Sequence, residues 1–307
     1  MEPIVFAGDL IQQFFELLGI EMFRYPFMQR ALMGLLIVSI MTSIIGAFVV
    51  LRGHSFLSLG VSSSAFAGFV VGTFLGVNPL IVGLVFALLT SLFIEETSIH
   101  GDLKPDVTTG IIFSLMLAIV LLLFHRMENP AASTALLYGN ALGALKNDIY
   151  WVFLVALVVL AVLFAFNKEF QMITFDPSFA EAVGAPVTLI RASLLFLIAL
   201  TITSSISVVG GLLILSFLVV PAAAAYQLAS RFSTMIVFAF IISSSSAVIG
   251  LILAYIYEVG PSASIVVLQS IIFFCCFLFS PKRHTAWKKV WLMLSRSFSG
   301  QESVSNS

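Results

Sequence analysis

Long stretches of this chain show no polar face at all. Apolar residues fill nearly every position of 31–51, 61–77, 79–94, 108–125, 150–167, 190–207, 209–228, 233–256 and 261–280. A helix on the surface of a soluble domain would carry an apolar stripe and a polar face. A strand of a membrane barrel would alternate with period two over about ten residues. These runs do neither, and several reach the roughly 20 residues that a helix needs to cross a bilayer core. The pattern predicts an all-α, polytopic membrane protein with about nine transmembrane helices, within a range of eight to ten. The short runs 61–77 and 79–94, and the tight junction Ser207-Val-Val-Gly-Gly211, read as broken or re-entrant helices. Such breaks are tolerated where protein covers the freed backbone groups.

Composition agrees: 60% of residues are hydrophobic and 9% charged, and the mean hydropathy is +1.14. The net charge of −1 hides a sided distribution. Nine passes place Arg52, Lys104, Lys168, Arg191 and Arg231 on the same side as the tail, which holds Lys282, Arg283, Lys288, Lys289 and Arg296. Arg24, Arg30, Arg126 and Lys146 fall opposite. Basic loops face the cytoplasm, so the expected topology has a cytoplasmic C-terminus and an external N-terminus in a cell membrane. Nothing in this charge pattern points to nucleic acid. In residues 1–27, Asp9, Gln12, Gln13 and Glu16 interrupt apolar residues at near-helical intervals. That reads as an amphipathic segment on the outer surface, with no basic region or cleavage site of a signal peptide. Residues 28–280 then form the transmembrane domain and 281–307 a basic cytoplasmic tail. Cys275 and Cys276 are adjacent and point to different helix faces, so no disulfide framework follows.

Catalytic signatures are missing: there is no His-Glu-x-x-His, no Gly-x-Ser-x-Gly and no Walker motif. The charges sit almost entirely in loops, which argues against a buried carboxylate relay. The most informative loop is Phe175-Asp-Pro-Ser-Phe-Ala-Glu-Ala-Val-Gly-Ala-Pro186. Asp176 can cap a helix with Pro177 at its first position. Phe179, Ala180, Ala182 and Val183 offer an apolar face, Glu181 lies among them, and Gly184 with Pro186 ends the helix. A compact capped helix on the cytoplasmic side is a device for docking a partner.

This loop resembles the coupling segment of the permeases of bacterial metal ABC importers, the family typified by zinc, manganese and iron uptake systems. Four other stretches agree in order and spacing: Arg30-Ala-Leu-Met-Gly34, Val50-Leu-Arg-Gly-His-Ser-Phe-Leu-Ser58, Asp106-Val-Thr-Thr-Gly-Ile-Ile-Phe-Ser114, and Val209-Gly-Gly-Leu-Leu-Ile-Leu-Ser-Phe-Leu-Val-Val-Pro-Ala-Ala-Ala-Ala225. The similarity runs from about residue 28 to 280. It implies a permease subunit of an ATP-driven importer that works by alternating access. A second permease, homo- or heterodimeric, would complete the path. Two ATPase subunits would carry ATP and Mg on separate chains, and an extracytoplasmic solute-binding protein would deliver the cargo. Neither an enzymatic activity nor a cofactor is expected of this chain itself. Asp176 to Gly184 would transmit the ATPase's movement.

One stretch departs from the family. Where relatives carry "GDALSHAvLPG", this chain has Ser58-Leu-Gly-Val-Ser-Ser-Ser-Ala-Phe-Ala-Gly68, which puts Leu59 at the family's Asp and Ser63 at its His. An Asp and a His four residues apart share a helix face and suit a divalent cation, whereas Leu and Ser do not. Ser62, Ser63 and Ser64 cover about 200° of a helix. They serve close helix packing or line the path. Thr203, Ser204 and Ser207, before the Gly210-Gly211 junction, form a second candidate lining, since exposed backbone often meets substrate at broken helices. Ser243 to Ser246 read as packing. Glu95, Glu96, His100, Asp102 and Asp106 read as a solvated loop, with a cation exit site as the alternative, and His54 as a surface histidine. Three functions stay open: a metal permease with an altered gate, a permease of the same fold for another polar solute, and a non-transporting membrane scaffold.

Overall fold

A computed structural model describes residues 22, 25–100, 104–127 and 145–280. Every regular element among them is helical. In chain order they are α1 (Pro26–Leu51), α2 (Ser55–Leu75), α3 (Pro79–His100), α4 (Pro105–Arg126), α5 (Lys146–Ala165), α6 (Asn167–Phe175), α7 (Pro177–Ala182), α8 (Val187–Val209), α9 (Gly211–Leu228), α10 (Phe232–Ile256) and α11 (Pro261–Leu278). Eight of these are long and apolar enough to cross a membrane, and α9 is a shorter apolar helix beside them. The chain is a multi-pass membrane protein. The amphipathic N-terminal segment and the basic tail lie outside the described residues, apart from Met22 and the start of α1.

Two expected breaks are absent. The run 61–77 belongs to the unbroken 21-residue α2, which begins at Ser55, and 79–94 belongs to the 22-residue α3. The serines that shortened the apolar count do not stop α2, because a buried hydroxyl can bond to a carbonyl of its own preceding turn. The same device places Ser39 and Thr42 inside α1, where they donate to the carbonyls of Leu35 and Val38 at 2.7 and 2.8 Å. The third expected break exists. Gly210 alone separates α8 from α9, at φ 92° and ψ 158°, a conformation that a side chain would strain.

Helices α1, α8 and α9 form the centre. α9 packs on α1, α10 and α11, while α8 packs on α3, α5 and α1. α2 and α3 approach closely: a Cβ at Gly68 would stand 2.7 Å from the Val82 carbonyl oxygen and 2.8 Å from the Gly83 Cα. Small residues at a helix contact let the backbones meet, and dispersion then holds the pair where lipid offers no hydrophobic drive. The loop between α5 and α8 holds one more helix than its sequence predicts, since α6 precedes α7.

Candidate transport path and docking segment

α7 is built as a clip at one end of the bundle. Asp176 accepts the Phe179 backbone N–H at 2.9 Å, with Pro177 at the first helical position. Gly184, at φ 83°, lies between α7 and the start of α8. The apolar residues of α7 do not share one face. Ala180 is fully buried, whereas Phe179 is 56% and Val183 62% exposed. Ala180 seats the helix, and the pair one turn apart, Phe179 and Val183, faces outward. Phe175 and Leu189 extend this exposed apolar surface. α6 fastens the segment: Phe170 is buried against Phe48 of α1, with ring centroids 6.1 Å apart, and Phe48 meets Phe232 of α10 at 4.9 Å. Phe175 meets the same Phe232 edge-on at 6.3 Å.

The three serines of α2 go to three environments. Ser62 donates to the Gly211 carbonyl at 3.2 Å, tying α2 to the start of α9. Ser63 donates to its own helix at Gly60, 2.9 Å away. Ser64 accepts from Thr90 of α3 at 2.7 Å. Ser62, Ser63 and Gly211 share a cavity of about 150 Å³ with Phe66, Phe113 and Leu215. Leu59, one turn from Ser63, lines a larger cavity of about 500 Å³ between α2, α9 and α11, which also touches Leu215. The α2 face bearing Leu59 and Ser63 therefore looks into two spaces that adjoin at Leu215.

The second candidate group stands apart. Thr203 and Ser204 line a cavity of about 210 Å³ with Asn78, Leu84 and Trp151, between α3, α5 and α8. Ser204 donates to the Thr201 carbonyl and Ser207 to the Ser204 carbonyl, both at 3.2 Å. The hydroxyls of Thr201, Thr203 and Ser205 are buried with no hydrogen-bond partner among the described residues. Ser62 and Ser63 thus line one cavity and Thr203 and Ser204 another; Ser64 and Ser207 line neither, and Gly211 belongs with the α2 serines.

Sequence reasoning missed a buried polar relay. Gln269 of α11 is fully buried; its Oε1 accepts from Ser216 of α9 at 2.5 Å and its Nε2 donates to Ser246 of α10 at 3.2 Å. Ser216 also lines the Leu59 cavity, with Ser55, Ser58 and Ser270. The available signal was the lone amide in the last apolar run, since a polar residue at membrane depth marks a bonding partner or a pathway. Ser246 thus has a bonding role beyond packing.

Glu95 corrects a further expectation. It is not in a solvated loop but on α3, where its Oε1 lies 3.3 Å from Arg191 Nε and 3.7 Å from Arg52 Nη2. The side chains of both Arg52 and Glu95 are nine-tenths buried. His54, in the α1–α2 turn, is no plain surface residue either. Burial, and then the neighbouring Arg52 charge, hold its pKa below the usual value, with Glu95 opposing and Arg191 reinforcing. No group of three His, Cys, Asp or Glu side chains that could hold a metal ion occurs among the described residues; Asp102 lies outside them, as does the side chain of His100.

Comparison with known proteins places this geometry. A family model described as the ABC 3 transport family matches residues 24–280. The manganese transport system membrane protein MntC of Listeria monocytogenes is 32% identical over 266 residues, covering 87% of this chain and 95% of that protein. The chelated iron transport system membrane protein YfeD of Yersinia pestis is 30% identical over 264 residues, covering 85% and 88%. Among solved structures, PsaBC from Streptococcus pneumoniae in complex with Fab matches with a TM-score of 0.80 and 28% identity, over 91% of this chain and 99% of that one.

Proposed function

This chain belongs to the ABC 3 transport family, as a permease subunit and not an enzyme, and we propose that it carries a divalent transition metal, manganese or iron, into the cell. The observation that carries this reading is similarity, over 85–87% of this chain, to relatives named for manganese and for chelated iron transport. The permease pairs with a second permease, takes its cargo from an extracytoplasmic solute-binding protein, and docks ATPase subunits, which bind ATP and Mg, through Phe179 and Val183. The docking end faces the cytoplasm and carries the C-terminus, in the cell membrane of a prokaryote. ATP binding and hydrolysis on those subunits switch the pair between outward-open and inward-open states. In this reading α7 converts the movement of the ATPase into movement of α8.

The cargo site is the unusual part. Leu59 and Ser63 supply no charged or imidazole ligand at the positions where the family resemblance implies Asp and His, and a serine hydroxyl is a poor ligand for a divalent transition metal. We assign the missing ligands to the partner permease, in a heterodimer whose second subunit carries the Asp and His. Four serines among the mostly apolar residues of the Leu59 cavity, Ser55, Ser58, Ser216 and Ser270, favour one competing reading, a neutral polar solute.

Cellular manganese, iron, zinc and cobalt, measured with and without this gene under metal limitation, test the proposal. A selective deficit restored by the gene supports it. Unchanged metal levels, with the permease present and assembled with its ATPase, transfer the assignment to another solute.

A further inference from the structure

Three charged side chains from three separate parts of the chain converge at the α7 end of the bundle. Arg52 is the first residue after α1, Glu95 lies on α3, and Arg191 lies one turn into α8. Glu95 Oε1 is shared, at 3.3 Å from Arg191 Nε and 3.7 Å from Arg52 Nη2. Burying charges is costly unless they are paired, and removing one partner strands the others. Here two guanidiniums share one carboxylate. Among the described residues, Arg52 Nη1 and Arg191 Nε are both buried without a hydrogen-bond partner. Burial pushes the Arg52 guanidinium below its usual pKa, Glu95 opposes this, and Arg191 adds to it. The cluster is attractive but not optimised, which suits a contact that must release.

The three residues lie on elements with different duties. Arg191 lies in the first turns of α8, which begins at Val187 shortly after the docking helix α7 ends at Ala182. α1, which ends just before Arg52, holds α6 through Phe48 and Phe170 and leads through a three-residue turn into α2. α3 is packed on α2 through the close approach at Gly68 and through the Thr90–Ser64 hydrogen bond. Displacement of α8 therefore acts directly on Glu95, and Glu95 acts on the α2–α3 hairpin that carries Leu59 and the serines.

We propose that Glu95 is a positioning residue of the transport cycle: a two-position latch between Arg191 and Arg52 that hands the movement of the docking helix to the α2–α3 hairpin. This rests on the transport function proposed above. Coupling of this kind needs an element with two discrete arrangements that both sites bias, and a carboxylate between two cationic partners is such an element. When α8 moves with α7, Glu95 either follows Arg191 and drags α3, or changes partner to Arg52 and lets the hairpin go.

The test uses the complete transporter in lipid nanodiscs and proteoliposomes, with its ATPase, partner permease and binding protein. Spin labels at Leu75→Cys and Tyr255→Cys report the far end of α2 against α10. The latch predicts an ATP-dependent distance change in the otherwise native complex that is lost in Glu95→Gln. It also predicts that metal uptake per ATP hydrolysed falls about tenfold in Glu95→Gln, equivalent to about 1.4 kcal/mol. Two contacting residues that act as one unit are non-additive, so Glu95→Gln with Arg191→Gln should be no worse than either change alone. Should Glu95→Gln fail to assemble, Arg191→Lys keeps the charge but removes the Nε that pairs with Glu95, and it should still lower uptake per ATP about threefold. An unchanged distance response and uptake ratio in Glu95→Gln, or an unchanged ratio in Arg191→Lys, would overturn the latch, as would losses that multiply in the double variant. A native complex whose α2 label responds to ATP but which moves no metal would remove the metal assignment and leave the latch standing.

Discussion

The α7 end and the middle of the bundle handle polar and aromatic groups in opposite ways. At the α7 end the contacts join different elements. Glu95 of α3 reaches the end of α1 and the start of α8, and Phe48, Phe170 and Phe232 stack three helices together. In the middle most hydroxyls bond back to their own helix, as Ser39, Thr42, Ser63, Ser204 and Ser207 do. Only a few cross, notably Ser62 to Gly211, Thr90 to Ser64 and the Gln269 relay. A side chain that satisfies itself can be exchanged at little cost, whereas one that joins two elements cannot. The α7 end should therefore be sensitive to substitution, and the hydroxyls of the middle should be graded by whether each leaves its own helix.

The steepest test of that contrast lies on the outward face of α7. Phe179→Asp places a charge in the exposed apolar surface without touching buried Ala180. Transport should fall about a hundredfold or more, since desolvating an unpaired charge at an interface costs several kcal/mol. The permease should remain in the membrane at its normal level while ATPase co-purification is lost. Reversing Glu181 to Arg should act in the same direction. Uptake at the native rate in both variants would remove α7 from the coupling role.

Next in size is the Gln269 relay. Gln269→Ala opens a cavity and takes away a partner from both Ser216 and Ser246, so unfolding in detergent should be easier by about 2–4 kcal/mol. Gln269→Leu fills the space and leaves only the unmatched hydroxyls, and it should lose about half as much. Equal loss in the two variants would mean that hydrogen bonding, and not volume, is what Gln269 contributes, and a neutral Gln269→Leu would mean the opposite.

Within the serine triplet the contrast becomes a comparison of neighbours. Ser62→Ala breaks a bond between helices and leaves the Gly211 carbonyl short of a donor, at about 1 kcal/mol. Ser63→Ala removes only a bond within the helix, so stability should stay within about 0.5 kcal/mol and uptake should change modestly. A hundredfold loss in Ser63→Ala would instead make that serine a direct participant in transport.

The apolar runs, their number and the capped helix α7 were legible because each depends on local sequence. Twenty apolar residues specify a span whatever surrounds them, and Asp176, Pro177 and Gly184 carry their turn chemistry with them. What escaped depended on distance in sequence. Glu95 looked like a member of an acidic loop because its neighbours Glu96, Asp102 and Asp106 are acidic; its actual partners, Arg52 and Arg191, are 43 residues before and 96 after. Gln269 finds Ser216 and Ser246 on two other helices. The serines of α2 were visible, but helix periodicity cannot tell a hydroxyl that bonds back, such as Ser63, from one that crosses to α9, such as Ser62.

The smallest expected effect reads the α7 end through pH. His54 sits in the turn after α1, and the charged groups acting on it are Arg52, Glu95 and Arg191. Burial and the adjacent Arg52 lower its pKa in the folded protein, so the folded state binds fewer protons than the unfolded one in the range just below about 6.5. For a histidine whose folded pKa is lowered, stability is fully present above the unfolded value and declines as pH falls toward the folded value. Thermal unfolding measured from pH 8 to 5.5 should therefore shift downward below about pH 6.5, and His54→Gln, which cannot take the proton, should flatten that part of the profile. Glu95→Gln should steepen it, because the carboxylate that favours the protonated imidazole is gone while both guanidiniums remain. A His54→Gln profile that follows the native one would show that the turn relaxes enough on protonation to let the imidazole reach water, and the charged cluster would then end at Arg52.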